Sequence, residues 1–242
     1  MKILALDSSG MVATVAIAED DRLLAEYTVN YKKTHSQTLL PMLKEAADMI
    51  ELDLNTLDAI AVSGGPGSFT GLRIGSATAK GLGLALNKPL IHVPTLEGMA
   101  YNFWGSDKVI CPMMDARRAQ VYTGIYTFEK GKLQILADQM AVSIEKAAEK
   151  LNKIGRELIL LGDGVDAYRE QLLQLLTVPF SFAPANLNGQ RAAAVAVCGM
   201  EYLRQGRAET AAAHQPDYLR VSQAERERAE RLSKEDSTKD GE

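Results

Sequence analysis

With 242 residues, the chain is long enough for one large domain or two smaller domains that each bury a core. Its formal net charge of −4 and pI near 5.5 exclude a strongly basic protein, so any nucleic-acid contact would need help from a partner. No apolar run reaches the roughly eighteen residues of a membrane span, and the two cysteines, Cys111 and Cys198, lack CxxC spacing and are expected to be buried thiols.

The first half of the chain predicts a meander of three strands, then a helix, a strand, a second helix and a further strand. The first strand covers residues 2–6 and starts without an apolar leader, so we expect a cytoplasmic protein. Thr34 and Gln37 predict a capping box for a helix that runs to about Ile50, and Pro41 predicts a kink or irregular first turns. The other strands are predicted at residues 12–17, 23–29, 58–63 and 88–93.

A glycine-rich loop, GGPGS at residues 64–68, separates the strand at 58–63 from the second helix. We expect the loop to end the strand, and Ser68 or Thr70 to be the helix N-cap. Free backbone N–H groups at such a helix start suit an anion or a phosphate. No Gly-Lys-Ser/Thr follows, so the loop is not a Walker A motif, and a tight turn that needs positive φ is the alternative.

Small residues recur every fourth position of the second helix, at Gly71, Gly75, Ala79 and Gly83, and so form one stripe. Each glycine costs a helix about 0.5–1 kcal/mol relative to alanine, which predicts that another backbone approaches the stripe closely. From the residues alone, the approaching element belongs either to this chain or to a partner protein.

The second half repeats this order of elements. Strands are predicted at residues 109–114, 121–128, 133–137 and 157–161, with helices at 143–152 and from 164 to 176. Aligning Asp7 with Asp115, each after the first strand of its half, brings the two meanders into approximate register. The alanine-rich run 188–204 predicts a further helix, which packs on either half, and residues 223–242 predict a disordered charged tail.

The string GGPGSFTGLRIG resembles the signature of the TsaB (YeaZ) family, and ALDSS, MDARRAQVY, LLGDG and PDYLR resemble its weaker marks. The similarity covers roughly residues 1–222. Two copies of βββαβα resemble the actin, hexokinase and Hsp70 superfamily. This implies an α/β fold of two ribonuclease-H-like domains with mixed sheets, at residues 1–100 and 101–222, that face each other across a cleft.

Membership of that family would imply a non-catalytic subunit in bacterial synthesis of threonylcarbamoyladenosine on tRNA. Such a subunit binds a TsaD-like catalytic subunit and a TsaE-like ATPase, and supports threonylcarbamoyl transfer from its adenylate to N6 of a tRNA adenine. It meets tRNA only within the complex and forms a homodimer when alone. The implied partner or dimer interface comprises Gly71, Arg73, Gly75, Ala79, Gly83, His35 and Leu39.

The superfamily kinases place two carboxylates near a metal and the transferred phosphate, at positions that match Asp7 and Asp115. With the hydroxyls of Ser8 and Ser9, these residues are candidates for a weak contact to ATP or ADP, which we expect mainly in the complex. A capped turn after each strand is the alternative. Arg117 and Arg118 are candidates for a phosphate or a partner carboxylate, or else belong to a solvated turn.

The catalytic TsaD paralogues carry an HxxxH metal pair after the strand that matches residues 88–93. This sequence has Thr95 and Met99 there, and neither is a good ligand, so we expect no metal and no tightly bound cofactor. The three histidines, His35, His92 and His214, are isolated in sequence and predict ordinary capping, surface or core roles. The alternative function is an independent small-molecule kinase or ATPase that uses the cleft.

Overall fold

A computed structural model of the chain describes residues 1–31 and 34–220. It contains two five-stranded sheets with helices on their faces. The predicted charged tail at 223–242 lies outside the described residues. None of the helices in the described ranges is both long and apolar enough to cross a membrane.

The first sheet has the strand order β3-β2-β1-β4-β5. Strands β1 to β3 form the predicted antiparallel meander, and β4 and β5 join β1 in parallel. The glycines at 64 and 65 continue β4 instead of ending it, because Gly65 still pairs with Pro94 after a bulge. The strands are β1 (Lys2–Asp7), β2 (Val12–Glu19), β3 (Arg22–Asn30), β4 (Ala59–Gly65) and β5 (Leu90–Pro94).

The second sheet repeats the plan, with the order β10-β9-β6-β7-β8. Its first three strands are again an antiparallel meander, and β9 and β10 are parallel to β6. The predicted repeat is therefore confirmed, although β8 runs six residues past its predicted end at 137 and β10 was not predicted. The strands are β6 (Val109–Asp115), β7 (Gln120–Glu129), β8 (Lys132–Ser143), β9 (Leu158–Leu161) and β10 (Phe180–Phe182).

Seven α-helices lie within the described residues. The predicted capping box is wrong, because the Thr34 side chain caps nothing and the Gln37 N–H donates to the Thr34 carbonyl instead. The single helix predicted from 164 to 176 is divided at Tyr168. The helices are α1 (His35–Met49, which includes Pro41), α2 (Phe69–Leu86), α3 (Thr95–Ala100), α4 (Ile144–Ile154), α5 (Asp163–Ala167), α6 (Arg169–Leu175) and α7 (Ala192–Arg204).

Alternate residues of β1 point into different layers of the core, as the two-residue period of a strand requires. Leu4 and Leu6 pack in the cluster that includes residues of α1 and α2, while Ile3 and Ala5 pack in the cluster that includes α7. The latter cluster also holds Ile110 of the second sheet and residues of α3. Helix α7 therefore returns to the first sheet, and the division into domains at residue 100 stays a prediction.

The small-residue stripe of α2 is buried against this chain, so the predicted partner contact at Gly71, Gly75, Ala79 and Gly83 is wrong. A Cβ on Gly71 would clash with the Ser8 carbonyl, and one on Gly75 would lie 2.7 Å from the Ser8 Oγ. One on Gly83 would lie 2.9 Å from the Cβ of Ala211. The elements that approach the stripe belong to this chain: the turn after β1 and the C-terminal segment, residues 207–220.

Candidate functional site

A cavity of about 550 Å³ lies in the cleft between the two halves. It forms where β1 and β6 end, as expected for strands whose carboxyl ends carry polar turn residues. Its walls come mainly from the turn after β1, the glycine-rich loop with the start of α2, the end of β6 with the turn that follows, and residues 217–220. Helix α1, strand β7 and helix α5 each add one residue. Of the residues predicted to contact nucleotide, Ser9 and Asp115 line this cavity.

Asp7 is buried behind the cavity wall, with 1% of its surface exposed. Its Oδ1 accepts hydrogen bonds from the Ser9 N–H and hydroxyl at 2.8 and 2.7 Å, and its Oδ2 accepts one from the Ser63 hydroxyl at 2.5 Å. Burial raises the pKa of Asp7, and these hydrogen bonds only partly offset that effect. The carboxylate is thus used to connect β1 to β4.

The hydroxyl of Ser8 also makes a bond within the chain. It donates to the Gly71 carbonyl at 2.9 Å, and the neighbouring Ser9 carbonyl accepts the Ser68 N–H at 2.6 Å. Ser68 is the N-cap of α2, since its Oγ accepts the Gly71 N–H at 3.3 Å. The turn after β1 therefore holds the start of α2. Two of the backbone N–H groups that were expected to bind an anion, those of Ser68 and Gly71, already donate to acceptors within the chain.

The second half contributes a pair of carboxylates, Asp115 and Asp163. Asp163 Oδ1 accepts the Asp115 N–H at 3.2 Å, and Asp115 Oδ1 accepts the Arg117 N–H at 2.8 Å and the Tyr168 hydroxyl at 3.3 Å. Burial raises the pKa of Asp163, an effect that the hydrogen bond from the Asp115 N–H partly offsets and the charge of the Asp115 carboxylate reinforces. No role was predicted for Asp163, although it stands in the LLGDG string.

Arginine side chains border the same half of the cleft. Arg117 is exposed and lines the cavity, whereas Arg118 is exposed but is not among the lining residues. Both have positive φ, 61° and 54°, together with Ala119 at 55°. Left-handed residues other than glycine cost about 1 kcal/mol each or more, so this turn holds an unfavourable backbone that presents Arg117 to the cavity.

The C-terminal segment, residues 207–220, was not predicted as a structural element, and its last four residues form one wall of the cleft. The Asp217 N–H donates to the Gly64 carbonyl at 2.6 Å, and the Tyr218 ring lies 4.6 Å from that of Phe69. Arg220 then reaches the second half, where its guanidinium donates to the Ala116 carbonyl at 2.8 Å. The PDYLR string at 216–220 was the signal that could have located this wall.

Two further residues of the predicted interface face the interior. Leu39 is 1% exposed and packs in the core beneath α1. His35 lines the cleft cavity, and its Nε2 makes a 2.8 Å hydrogen bond with the Gly10 carbonyl. Arg73 is exposed, with its guanidinium 4.0 Å from the centre of the Phe69 ring. The burial of Leu39 is therefore incompatible with a partner contact, whereas the predicted partner contact of His35 stays a prediction.

Thr95 and Met99, at the positions of the paralogue's metal pair, have structural contacts. Thr95 Oγ1 accepts the Gly65 N–H at 3.1 Å and is fully buried. Met99 is 2% exposed and belongs to the core cluster that joins both sheets. These side chains therefore stabilise the glycine-rich loop and the core.

Two halves that share one strand order of the ribonuclease-H type and meet at a cleft define a duplicated α/β protein with mixed sheets. The family model described as TsaD, tRNA N6-adenosine threonylcarbamoyltransferase, matches residues 22–228. The chain is 33% identical to the TsaB protein of Bacillus subtilis over 93% of this chain and 96% of that protein. With the TsaB protein of Escherichia coli, it shares 32% identity over 69% and 74% of the two chains.

A solved structure shows the same relationship. YeaZ from Pseudomonas aeruginosa superimposes with a TM-score of 0.78 at 26% identity, over 90% of this chain and 99% of that one. The chain belongs to the TsaB family of tRNA threonylcarbamoyladenosine biosynthesis proteins, within the wider group that the TsaD model describes.

Proposed function

We propose that this chain is the non-catalytic partner subunit for threonylcarbamoyl transfer from threonylcarbamoyl-adenylate to N6 of a tRNA adenine. In this role it acts in the cytoplasm, binds a TsaD-like catalytic subunit and a TsaE-like ATPase, and meets tRNA only within that complex. The observation that carries the proposal is that Thr95 and Met99 have structural roles. Both are buried in structural contacts at the positions where the catalytic paralogues are expected to bind metal.

The cleft also favours a non-catalytic subunit over an independent kinase or ATPase. Asp7, which a kinase would need near a metal, is buried and already accepts hydrogen bonds from Ser9 and Ser63. We propose that the cleft holds no tightly bound cofactor and that ATP or ADP binds weakly in its cavity, mainly in the complex. Of the predicted contacts, Ser9 and Asp115 are the ones that line the cavity.

We place the partner contact on the exposed faces of α1 and α2, the outer α1–α2 surface, defined by Leu40, Met49, Ala77, Gly81 and Leu84. The two helices contact each other, and the side chains of Leu40, Met49 and Leu84 are 51%, 78% and 64% exposed. Ala77, Gly81 and Leu84 lie on one side of α2 because they are spaced by four and three residues.

The strongest support for this surface comes from Gly81. No described atom lies within 4 Å of where its Cβ would be, so packing among the described residues does not require a glycine. A glycine in a helix interior nevertheless costs about 0.5–1 kcal/mol relative to alanine. Close approach of a second helix would account for it, and a second copy of this chain would occupy the same surface when the catalytic subunit is absent.

Binding of the TsaD-like subunit by purified variants tests the surface. Leu84→Asp introduces a charge and Gly81→Leu overfills the contact, so each is expected to weaken association by about 2 kcal/mol, roughly thirtyfold, or more. Leu173→Asp on α6, which changes a leucine that is 51% exposed, is the matched control and is expected to bind normally. Wild-type affinity in Leu84→Asp would remove α2 from the interface.

An activity measurement tests the subunit role separately. Transfer to tRNA is expected from the chain together with the catalytic subunit, the ATPase and threonylcarbamoyl-adenylate, and to be absent from the chain alone. Turnover by the isolated chain would overturn the non-catalytic assignment.

A further inference from the structure

Two of the three histidines in the chain meet beside α2, outside the residues that line the cleft cavity. His92 is on β5 and His214 is in the C-terminal segment, and their ring centres are 5.7 Å apart. Glu209 joins them, because one ligand atom from each of the three side chains lies within 4.8 Å of the other two. Imidazole nitrogen and carboxylate oxygen are the ligands that Zn²⁺ takes in proteins besides thiolate.

The backbone positions each of these side chains independently of any ligand. Leu90 and Glu209 exchange N–H···O bonds of 2.9 Å in both directions, which fixes Glu209 against the start of β5. His92 follows Leu90 by two residues and so points to the same side of the strand. A turn closed by the His214 N–H, which donates to the Thr210 carbonyl at 3.2 Å, returns His214 to Glu209.

The ring of His214 is held in a fixed orientation. It is buried, its Nδ1 lies 2.7 Å from Glu209 Oε1, and its Nε2 lies 2.8 Å from the Ser76 hydroxyl. A metal-bound histidine characteristically uses its second ring nitrogen in this way, to a hydrogen-bonding group that orients the ring. Ser76 therefore stands where an outer partner of a metal site would stand.

His92 has an unsatisfied ring nitrogen. Its Nε2 lies 3.3 Å from Asp217 Oδ2 without hydrogen-bond geometry, and this buried atom has no hydrogen-bond partner among the described residues. A ring nitrogen that has no hydrogen-bond partner keeps a lone pair for a metal ion when the imidazole is neutral.

We propose that His92, His214 and Glu209 bind one divalent transition-metal ion, with Zn²⁺ the best match to these ligands. Ligands at about 2.0–2.1 Å from Zn²⁺ lie about 3.3–3.5 Å apart. His214 Nδ1 and Glu209 Oε1, which are 2.7 Å apart, would therefore separate, and ligand atoms that are up to 4.8 Å apart would approach each other by up to about 1.4 Å. The side chains of Glu209 and His92 are 33% and 23% exposed, which leaves an approach from solvent. Three protein ligands leave the fourth position to water.

Such an ion would connect β5 to the C-terminal segment that forms a wall of the cleft. The nearby cation, Lys80, is held by the Ala212 and His214 carbonyls at 3.1 and 3.0 Å.

No metal was expected from the sequence, because Thr95 and Met99 are poor ligands and the histidines are isolated in sequence. The fold, however, brings together His92, Glu209 and His214, which no local pattern connects. The inference concerns the isolated chain and does not depend on the proposed subunit role.

Calorimetric titration of chelator-treated, tag-free chain with Zn²⁺ tests the site. We expect saturation at one ion per chain and a rise in Tm with added Zn²⁺. Glu209→Gln keeps a carbonyl that can accept a hydrogen bond from His214 but removes the charged ligand, and His92→Gln removes an imidazole. Each is expected to weaken Zn²⁺ binding at least tenfold, and Ser76→Ala to weaken it about tenfold through the orientation of His214.

His35→Gln is the matched control, because it removes the third histidine and leaves both histidines of the cluster in place. Its Zn²⁺ affinity should equal that of the wild type. Circular dichroism verifies that each variant is folded, and substitution by Co²⁺ should give visible absorption bands that Glu209→Gln alters. The proposal would be overturned if the wild type showed no saturable Zn²⁺ binding, or if folded Glu209→Gln and His92→Gln bound Zn²⁺ with wild-type affinity.

Discussion

At the scale of single residues, Asp7 is a structural carboxylate in a position where a kinase would use a catalytic one. It is buried, it receives three hydrogen bonds from Ser9 and Ser63, and its pKa is raised chiefly by burial. A raised pKa means that the folded state holds this proton more tightly than the unfolded state. The contribution of Asp7 to stability is therefore largest at acidic pH and is lost as the pH rises through the folded-state pKa.

Asp7→Asn should remove that dependence. The amide oxygen can still accept from Ser9, and the amide N–H₂ can donate to the Ser63 hydroxyl, which rotates to accept it. Relative to the wild type, the variant should gain stability as the pH rises above about 4, by about 1.4 kcal/mol for each unit of pKa elevation. Urea unfolding at several pH values measures this, with exposed Asp21→Asn as control. A constant difference between wild type and Asp7→Asn would contradict the prediction.

Contacts between residues close in sequence were predicted better than contacts between residues far apart in sequence. Ser68 was foreseen as one of two N-cap candidates, because capping is local and needs only the next few residues. The meeting of His92 with His214 depends on the path of the C-terminal segment, which no local pattern determines. Asp163 was noted only as part of the LLGDG string, since its approach to Asp115 depends on the pairing of β6 with β9.

At the scale of elements, α2 shows that periodicity identifies a helix face but not the neighbour that covers it. The stripe at Gly71, Gly75, Ala79 and Gly83 was correctly read as a site of close approach, yet it packs on the chain itself. The sequence allowed packing on this chain or on a partner protein, because a glycine stripe has the same spacing whichever backbone approaches it. The buried Leu39 was misplaced for the same reason.

Gly75 and Gly81 should therefore respond oppositely to a larger side chain. Gly75→Leu places its Cβ 2.7 Å from the Ser8 Oγ, so overpacking should cost at least about 1–3 kcal/mol and lower the Tm by about 5 °C or more. Gly81→Ala meets no atom of the described residues within 4 Å and should raise stability by about 0.5–1 kcal/mol. Thermal unfolding of both variants measures this. Equal stability of Gly75→Leu and wild type would mean that the stripe is not packed as described.

At the scale of the whole molecule, the two sheets are connected by α7 in the core and by the C-terminal segment at the cleft. The repeat of strand order could be read from the sequence because each half has its own pattern of strands, turns and helices. The return of α7 could not, because an alanine-rich helix fits either sheet. The segment 207–220 was missed as a structural element since its contacts come mostly from turns and single bridges.

Arg220→Ala tests the connection at the cleft. It removes the hydrogen bond to the Ala116 carbonyl, so amide hydrogen exchange should quicken at residues 115–120 and 217–220, with a loss of about 1 kcal/mol in stability or less. Arg204→Ala removes an arginine whose guanidinium lies 3.7 Å from Glu201, and should leave exchange at the cleft unchanged. Unaltered exchange in Arg220→Ala would show that this bond does not hold the cleft wall.

The position of α7 also constrains how the chain can fold during synthesis. The first sheet is made from residues 2–94, but the layer that contains Ile3, Ala5 and Ile91 is completed only when residues 192–204 join it. A nascent chain thus carries one uncovered apolar sheet face until most of its length has left the ribosome. The N-terminal half made alone should consequently be prone to aggregate and to bind chaperones, even though its five strands are all present.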